Sequence, residues 1–156
     1  MGSMNYSSML KIALIYSSLT GNTKELINLI KQSFHHYKAD VQIYKVNDFE
    51  LDKLNRYDVI VIGTYSWGNG EIPREMVRLY RAFELQDVQN VVTGIAGTGD
   101  QLYPSYCGAV NRFRDMLFVQ TKLAATLKVE LFPQANDIVK CAKFTDIIIS
   151  RASQLH

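Results

Sequence analysis

Short, almost wholly apolar runs alternate along the chain with longer segments whose apolar positions recur at helical spacing. Lys11–Tyr16 is apolar at nearly every position, the pattern of a strand buried on both faces of a parallel sheet. Thr23–Tyr37 reads as a helix with Leu26, Ile30, Phe34 and Tyr37 on one face. Val41–Val46 predicts a second strand and Asp58–Gly63 a third, separated by the polar stretch "NDFELDKLNRY". Pro73–Leu85 predicts a helix with proline near its first turn, Asn90–Ala96 a fourth strand and Cys107–Gln120 a further helix. Ala125–Leu131 alternates at its end, as a half-exposed edge strand would. A last helix runs from about Asn136, with Ile138, Ala142, Ile148, Ala152 and Leu155 one or two turns apart.

Strands alternating with helices predict a doubly wound α/β sheet. Ligands of such sheets sit beyond the carboxyl ends of the strands, where the winding direction switches. Three polar, glycine-bearing loops leave strands at that end: Ser17–Thr23, Thr64–Ile72 and Gly97–Tyr106. The fold type brings such loops together; the pattern alone does not.

Size and composition narrow this further. The 156 residues, 47% of them hydrophobic, suit one domain with a full core, expected over residues 10–156. The opening "MGSM" resembles a cloning remnant, so the first nine residues are expected to lie outside that domain, with the native start at Met4 or Met9. No apolar run reaches the roughly 20 residues of a membrane span. The net charge of +2 gives no reason to expect nucleic acid as a partner. Cys107 and Cys141 lack metal-ligand spacing, and two free thiols in a cytoplasmic protein are expected before a disulfide. His35 and His36 are adjacent, cannot share a helix face, and read as solvated.

The loop "YSSLTGNT" raises a chemical question, because it has the form of an anion site yet contains no lysine or arginine. Hydroxyls and amides at a helix start suit a phosphate, and the plainer alternative is an ordinary strand–helix turn with a threonine cap. The string G-x-x-x-x-G-K-[ST] of a triphosphate-binding loop is absent. Serines stand where a phosphate-accepting receiver domain would carry acids, and Phe113 stands where a small tyrosine phosphatase would need its arginine after Cys107. The loop "GTYSWGNGEIP" contains the single tryptophan, and "GTGDQLYPSYCGAV" supplies two tyrosines. Either aromatic alone reads as packing; with an anion loop at the same edge they suit a flat ring carrying one phosphate.

These three loops, in this order and spacing, resemble the flavodoxin family, and the match extends over essentially residues 10–155. Without a long insertion in the fifth strand, the chain resembles the short-chain flavodoxins. The resemblance implies a five-stranded parallel sheet of order 2-1-3-4-5 and FMN as cofactor. It implies that Ser18, Leu19, Thr20, Gly21, Asn22 and Thr23 hold the phosphate, joined by Ser66, with Tyr65 also among the cofactor-binding residues. Trp67 and Tyr103 would sandwich the isoalloxazine, with Thr98, Gly99, Asp100, Tyr106 and Cys107 along or beside its pyrimidine edge. The Gly68–Asn69 peptide matches the one that in this family turns its carbonyl toward reduced flavin N5–H and separates the two one-electron steps. The implied function is a monomeric, low-potential electron carrier between a reductase and acceptor enzymes.

The chain departs from the family's pattern in charge. Flavodoxins are mostly acidic, whereas this chain is slightly basic, and the usual Gly-Asp-Gly is here Gly68-Asn69-Gly70. Loss of one charge about 6 Å from the flavin, at an effective dielectric of about 20, is worth at most roughly 3 kcal/mol, or on the order of 120 mV. The couple to fully reduced flavin is therefore expected to be less negative than in acidic relatives. Arg74, Arg78 and Arg81 form a stripe at i, i+4 and i+7, with Arg112 and Arg114 beyond the tyrosine loop, and are either a solvated face or a docking face for an acidic partner. Ile27 replaces a customary alanine on the first helix. Two other functions occur on this fold: a flavodoxin-like activator of ribonucleotide reductase, which the "SWGNGE" and tyrosine loops fit less well, and a quinone reductase, for which the chain is short.

Overall fold

A computed structural model describes residues 9–155. The first eight residues, including the "MGSM" read as a cloning remnant, lie outside the described residues. Five strands pair in parallel, β1 (Leu10–Tyr16), β2 (Ala39–Lys45), β3 (Val59–Thr64), β4 (Val92–Gly99) and β5 (Lys122–Glu130), in the order β2-β1-β3-β4-β5. The helices are α1 (Asn22–Phe34), α2 (Val77–Leu85), α3 (Gly108–Gln120) and α4 (Ala135–Leu155).

The near-continuous apolar strands are buried on both sides, as their composition requires. Ile12 and Leu14 face one layer with α1 and α4, while Ala13 and Ile15 face the other with α2 and α3. Each fully buried large aliphatic side chain is worth about 1.5–3 kcal/mol relative to exposure, so the two layers supply the main driving force for closing the sheet. The edges differ as expected: β2 alternates between exposed and half-buried, and only Leu127 and Val129 of β5 are buried.

Several boundaries and faces depart from the pattern reading. β4 continues through Gly99, because Gly97, Thr98 and Gly99 pair with Lys128, Val129 and Glu130; the residues read as loop are held by a neighbouring strand. α1 stops at Phe34 and unwinds through Tyr37, whose hydroxyl reaches Asp146 of α4 at 3.1 Å. On α4 the buried face is Asp137, Cys141, Phe144, Thr145, Ile148 and Ala152, so Ile138, Ala142 and Leu155, expected on that face, are exposed. The polar stretch before β3 forms 3₁₀ turns at Val46–Asp48 and Leu51–Arg56 that bury Phe49 and Leu54.

Ile27 finds its explanation in the sheet. It is fully buried and lies over Gly63 of β3, where an added Cβ would sit 2.5 Å from Ile27 Cγ1. The larger side chain on α1 is accommodated by the absence of one beneath it. Gly63→Ala is expected to cost about 1–3 kcal/mol through overpacking. In urea unfolding, the double variant with Ile27→Ala should lose less than the sum of the two single losses; strict additivity would refute the pairing.

Candidate functional site

β1, β3 and β4 end side by side at the carboxyl edge, which sets the three loops next to one another. The first loop turns at Gly21, which adopts φ +95° immediately before α1, a conformation that glycine takes without steric cost. Ser18 Oγ accepts hydrogen bonds from the amides of Gly21 at 3.1 Å and Lys24 at 3.3 Å and so shapes the turn. The amides of Asn22 and Thr23 then open α1 without intrahelical acceptors, and the positive end of the helix dipole favours an anion in front of them.

Leu19 and Thr20 are exposed at the tip of this loop, with Asn22 half-buried. Thr23 is buried, and its hydroxyl lies 2.8 Å from that of Thr98 at the end of β4, tying the first loop to the third. A cavity of about 520 Å³ lies beside the loop, and its lining includes Ser17, Ser18, Gly21, Lys24 and Lys45. The loop itself has no cation, but folding therefore brings two lysines to its flank; Lys45, 22 residues after Thr23 in the chain, is not visible to a reading of the motif.

The second loop is a closed turn. Trp67 N donates to Glu71 O at 2.8 Å, and Glu71 N and Gly70 N both donate to Trp67 O, at 2.7 and 3.1 Å. Gly68 and Gly70 take φ +51° and +91°, which holds Asn69 exposed at the tip. The third loop leads into α3 through Cys107, and the two loops are joined where Ala109 N donates to Ser66 Oγ at 3.0 Å.

Between the second and third loops lies a cavity of about 390 Å³, within the roughly 300–1,000 Å³ of small-molecule sites. Trp67 and Tyr103 both line it, and they remain 56% and 66% exposed, unusually open for large rings. Leu19, Ser66, Gly68, Gly99, Asp100, Tyr106 and Cys107, all singled out in the sequence, line it as well, together with Ser105, which was not singled out.

Tyr65 stands apart from that cavity. Its hydroxyl donates to Glu75 Oε2 at 2.6 Å, and the same oxygen accepts a hydrogen bond from Ser17 Oγ. Burial, reinforced by the bond to Glu75, pushes the Tyr65 phenol up to about 12. Burial also opposes ionisation of Glu75, but the bonds from Ser17 and Tyr65 outweigh it and hold this carboxyl below its usual range. Glu75 was not singled out from sequence and Ser17 only as the start of the first loop; the approach of the two depends on a packing that no local motif encodes.

The chemistry of the edge is thus an anion-accepting helix start and a flat slot between two exposed rings. Among the described residues no group of acidic, histidine and cysteine side chains could hold a metal ion, and no helix is long and apolar enough to cross a membrane. Both cysteines are free and buried, and burial raises both thiols, Cys141 to about 11. A thiol reagent at pH 8 should accordingly label neither cysteine in the folded protein and both in urea. Rapid labelling of Cys107 in the folded state would contradict its placement.

Comparison with known proteins agrees with this geometry. The family model described as Flavodoxin matches residues 14–141. Probable flavodoxin 1 of Bacillus subtilis is 36% identical over 141 residues, 87% of this chain and 88% of that protein. Oxidised flavodoxin 2 from Bacillus cereus is 31% identical with a TM-score of 0.85, covering 90% of this chain and 99% of the other. A short-chain flavodoxin associated with a non-canonical PDU bacterial microcompartment is 25% identical with a TM-score of 0.88, covering 92% and 99%.

Proposed function

The chain belongs to the flavodoxin family, and from that premise we propose that it is a cytoplasmic, monomeric electron carrier, not an enzyme, that passes single electrons from a reductase to acceptor enzymes. FMN is the cofactor of this family, and its parts correspond to the features at the sheet edge. The observation that carries the reading is the slot between Trp67 and Tyr103, two exposed rings on opposed loops beside a helix start suited to a phosphate.

Bound FMN supplies the redox chemistry, and the chain supplies binding and electrostatics. In this reading Ser18, Thr20, Asn22 and Thr23, with Ser66 and the amides that open α1, hold the phosphate. Trp67 and Tyr103 hold the ring between them and exclude water from its faces. Gly99, Asp100 and Cys107, with Thr98 behind them, would lie along its polar edge, where the buried, protonated Cys107 thiol would add no charge. Gly68 provides the backbone freedom needed for the Gly68–Asn69 carbonyl to turn toward N5–H. Asn69 contributes no negative charge, which favours the fully reduced, anionic flavin relative to an acidic loop.

An anaerobic titration of the FMN-loaded protein with dithionite tests this. A long-wavelength absorbance band should rise and then fall as two one-electron steps are passed. Asn69→Asp should move the second step to more negative potential, by at most on the order of 120 mV. Direct bleaching in one two-electron step would refute the carrier reading, and an unmoved second step the role of Asn69.

The partner's face is proposed to be acidic. Arg74, Arg78 and Arg81 are all exposed, and none of them takes part in an ion pair among the described residues. Reoxidation of the reduced protein by ferricyanide, a small anionic acceptor, should slow with rising salt and with Arg74→Glu or Arg78→Glu. A rate independent of both would remove the basis for docking through this stripe.

A further inference from the structure

Glu75 lies outside the slot that holds the ring in the reading above, yet it joins the two loops that reading depends on. One of its oxygens, Oε2, accepts hydrogen bonds from Ser17 Oγ and, at 2.6 Å, from Tyr65 Oη. Ser17 begins the phosphate loop; it is buried, and its amide donates to Gly63 O at 3.1 Å, so its position follows the sheet. Tyr65 begins the tryptophan loop, and its carbonyl is held by Thr64 Oγ1 at 2.7 Å. Glu75 follows the same loop, in the 3₁₀ turn Arg74–Met76 closed by Met76 N donating to Pro73 O at 2.9 Å.

Both stems of the tryptophan loop therefore converge on a single carboxylate oxygen, and that oxygen also grips the phosphate loop. Between the stems, the paired bonds of Trp67 and Glu71 make the loop a closed unit, which moves as a whole if its stems are released. We infer that Glu75 is a positioning residue, a clasp that fixes the tryptophan loop against the phosphate loop and sets the span between α1 and Trp67 before FMN enters. This rests on the flavodoxin reading for its consequence, not for its geometry. Such preorganisation acts by lowering the ordering cost of binding. Bonds to an ionised carboxylate are roughly twice as strong as neutral ones, which favours glutamate over glutamine at this position.

The test compares Glu75→Ala, Glu75→Gln and Tyr65→Phe with the wild type. Amide exchange is read in the FMN-free protein, and FMN binding by quenching of flavin fluorescence. In Glu75→Ala the amides of Trp67, Gly70 and Glu71 should exchange at least about tenfold faster while those of β1 and β3 keep their protection, and FMN should bind roughly 10- to 100-fold more weakly. Glu75→Gln, which retains an accepting oxygen, should recover part of both effects, and Tyr65→Phe should show a smaller loss of the same kind. Wild-type exchange in the tryptophan loop of Glu75→Ala, or an equal rise throughout the sheet, would overturn the clasp.

Should Glu75→Ala not fold, Ser17→Ala and Tyr65→Phe decide the matter. They share one acceptor, so the loss of FMN affinity in the double variant should depart from the sum of the singles, and additive or absent losses count against the proposal. A wild-type protein that failed to bind FMN would sink the carrier reading alone, because exchange in the FMN-free protein reports on the clasp independently.

Discussion

The slot exists because two backbones meet without side chains. Gly70 of the tryptophan loop and Gly108 at the start of α3 approach so closely that a Cβ on Gly108 would lie 2.6 Å from Gly70 Cα, and one on Gly70 would lie 2.7 Å from Ser105 Cβ. Any larger residue at either place would push the two loops apart, and the separation of Trp67 and Tyr103 would change with it. Gly70 also needs its φ of +91° to close the turn that carries Trp67. Next to this contact, Cys107 holds a left-handed φ of +51°, which costs a non-glycine residue roughly 1–2 kcal/mol. Its burial and the bond from Ala109 N to Ser66 Oγ show how the surroundings hold that conformation in place. The slot is thus set by packing at its base, while its aromatic walls stand open.

That division explains what the chain declares and what it conceals. The strands of a parallel sheet bury both faces, so β1 and β3 are legible as nearly continuous apolar runs, broken in β1 only by the exposed Lys11, and their order leads directly to the edge where the loops meet. The loop motifs were legible because helix starts, left-handed turns and exposed rings each demand particular residue types. Gly97–Gly99 misled for the same reason: glycines next to threonine and aspartate suggest a turn, but β5 offers pairing partners that local pattern cannot reveal. On α4, several apolar residues lie on both sides of the helix, so spacing alone did not select the buried side, and packing against α1 and β5 chose Cys141, Phe144 and Ile148. Glu75 had no local signal at all. Its neighbours in the chain are arginine and methionine, and its role follows only from the arrival of Ser17, 58 residues earlier.

The same carboxylate bears on the electrostatics of the outer surface. Glu75 follows Arg74 directly and, with Arg78, lines a cavity of about 590 Å³ bounded by the 3₁₀ turns before β3, yet it forms no ion pair with either arginine. Its Oε2 is turned to two hydroxyl donors, Ser17 and Tyr65, and Arg74, Arg78 and Arg81 form no ion pair among the described residues. With a net charge of only +2, distant attraction between this protein and a partner is weak. Within a Debye length of about 8–10 Å, however, a partner meets the local pattern and not the sum. Three exposed arginines, Arg74 in the 3₁₀ turn and Arg78 and Arg81 on α2, would then orient an acidic surface late in the approach. In that arrangement Glu75, held by Ser17 and Tyr65, is an acid withheld from the arginines on either side of it, so the joining of the two loops and the unpaired cations beside them share one cause.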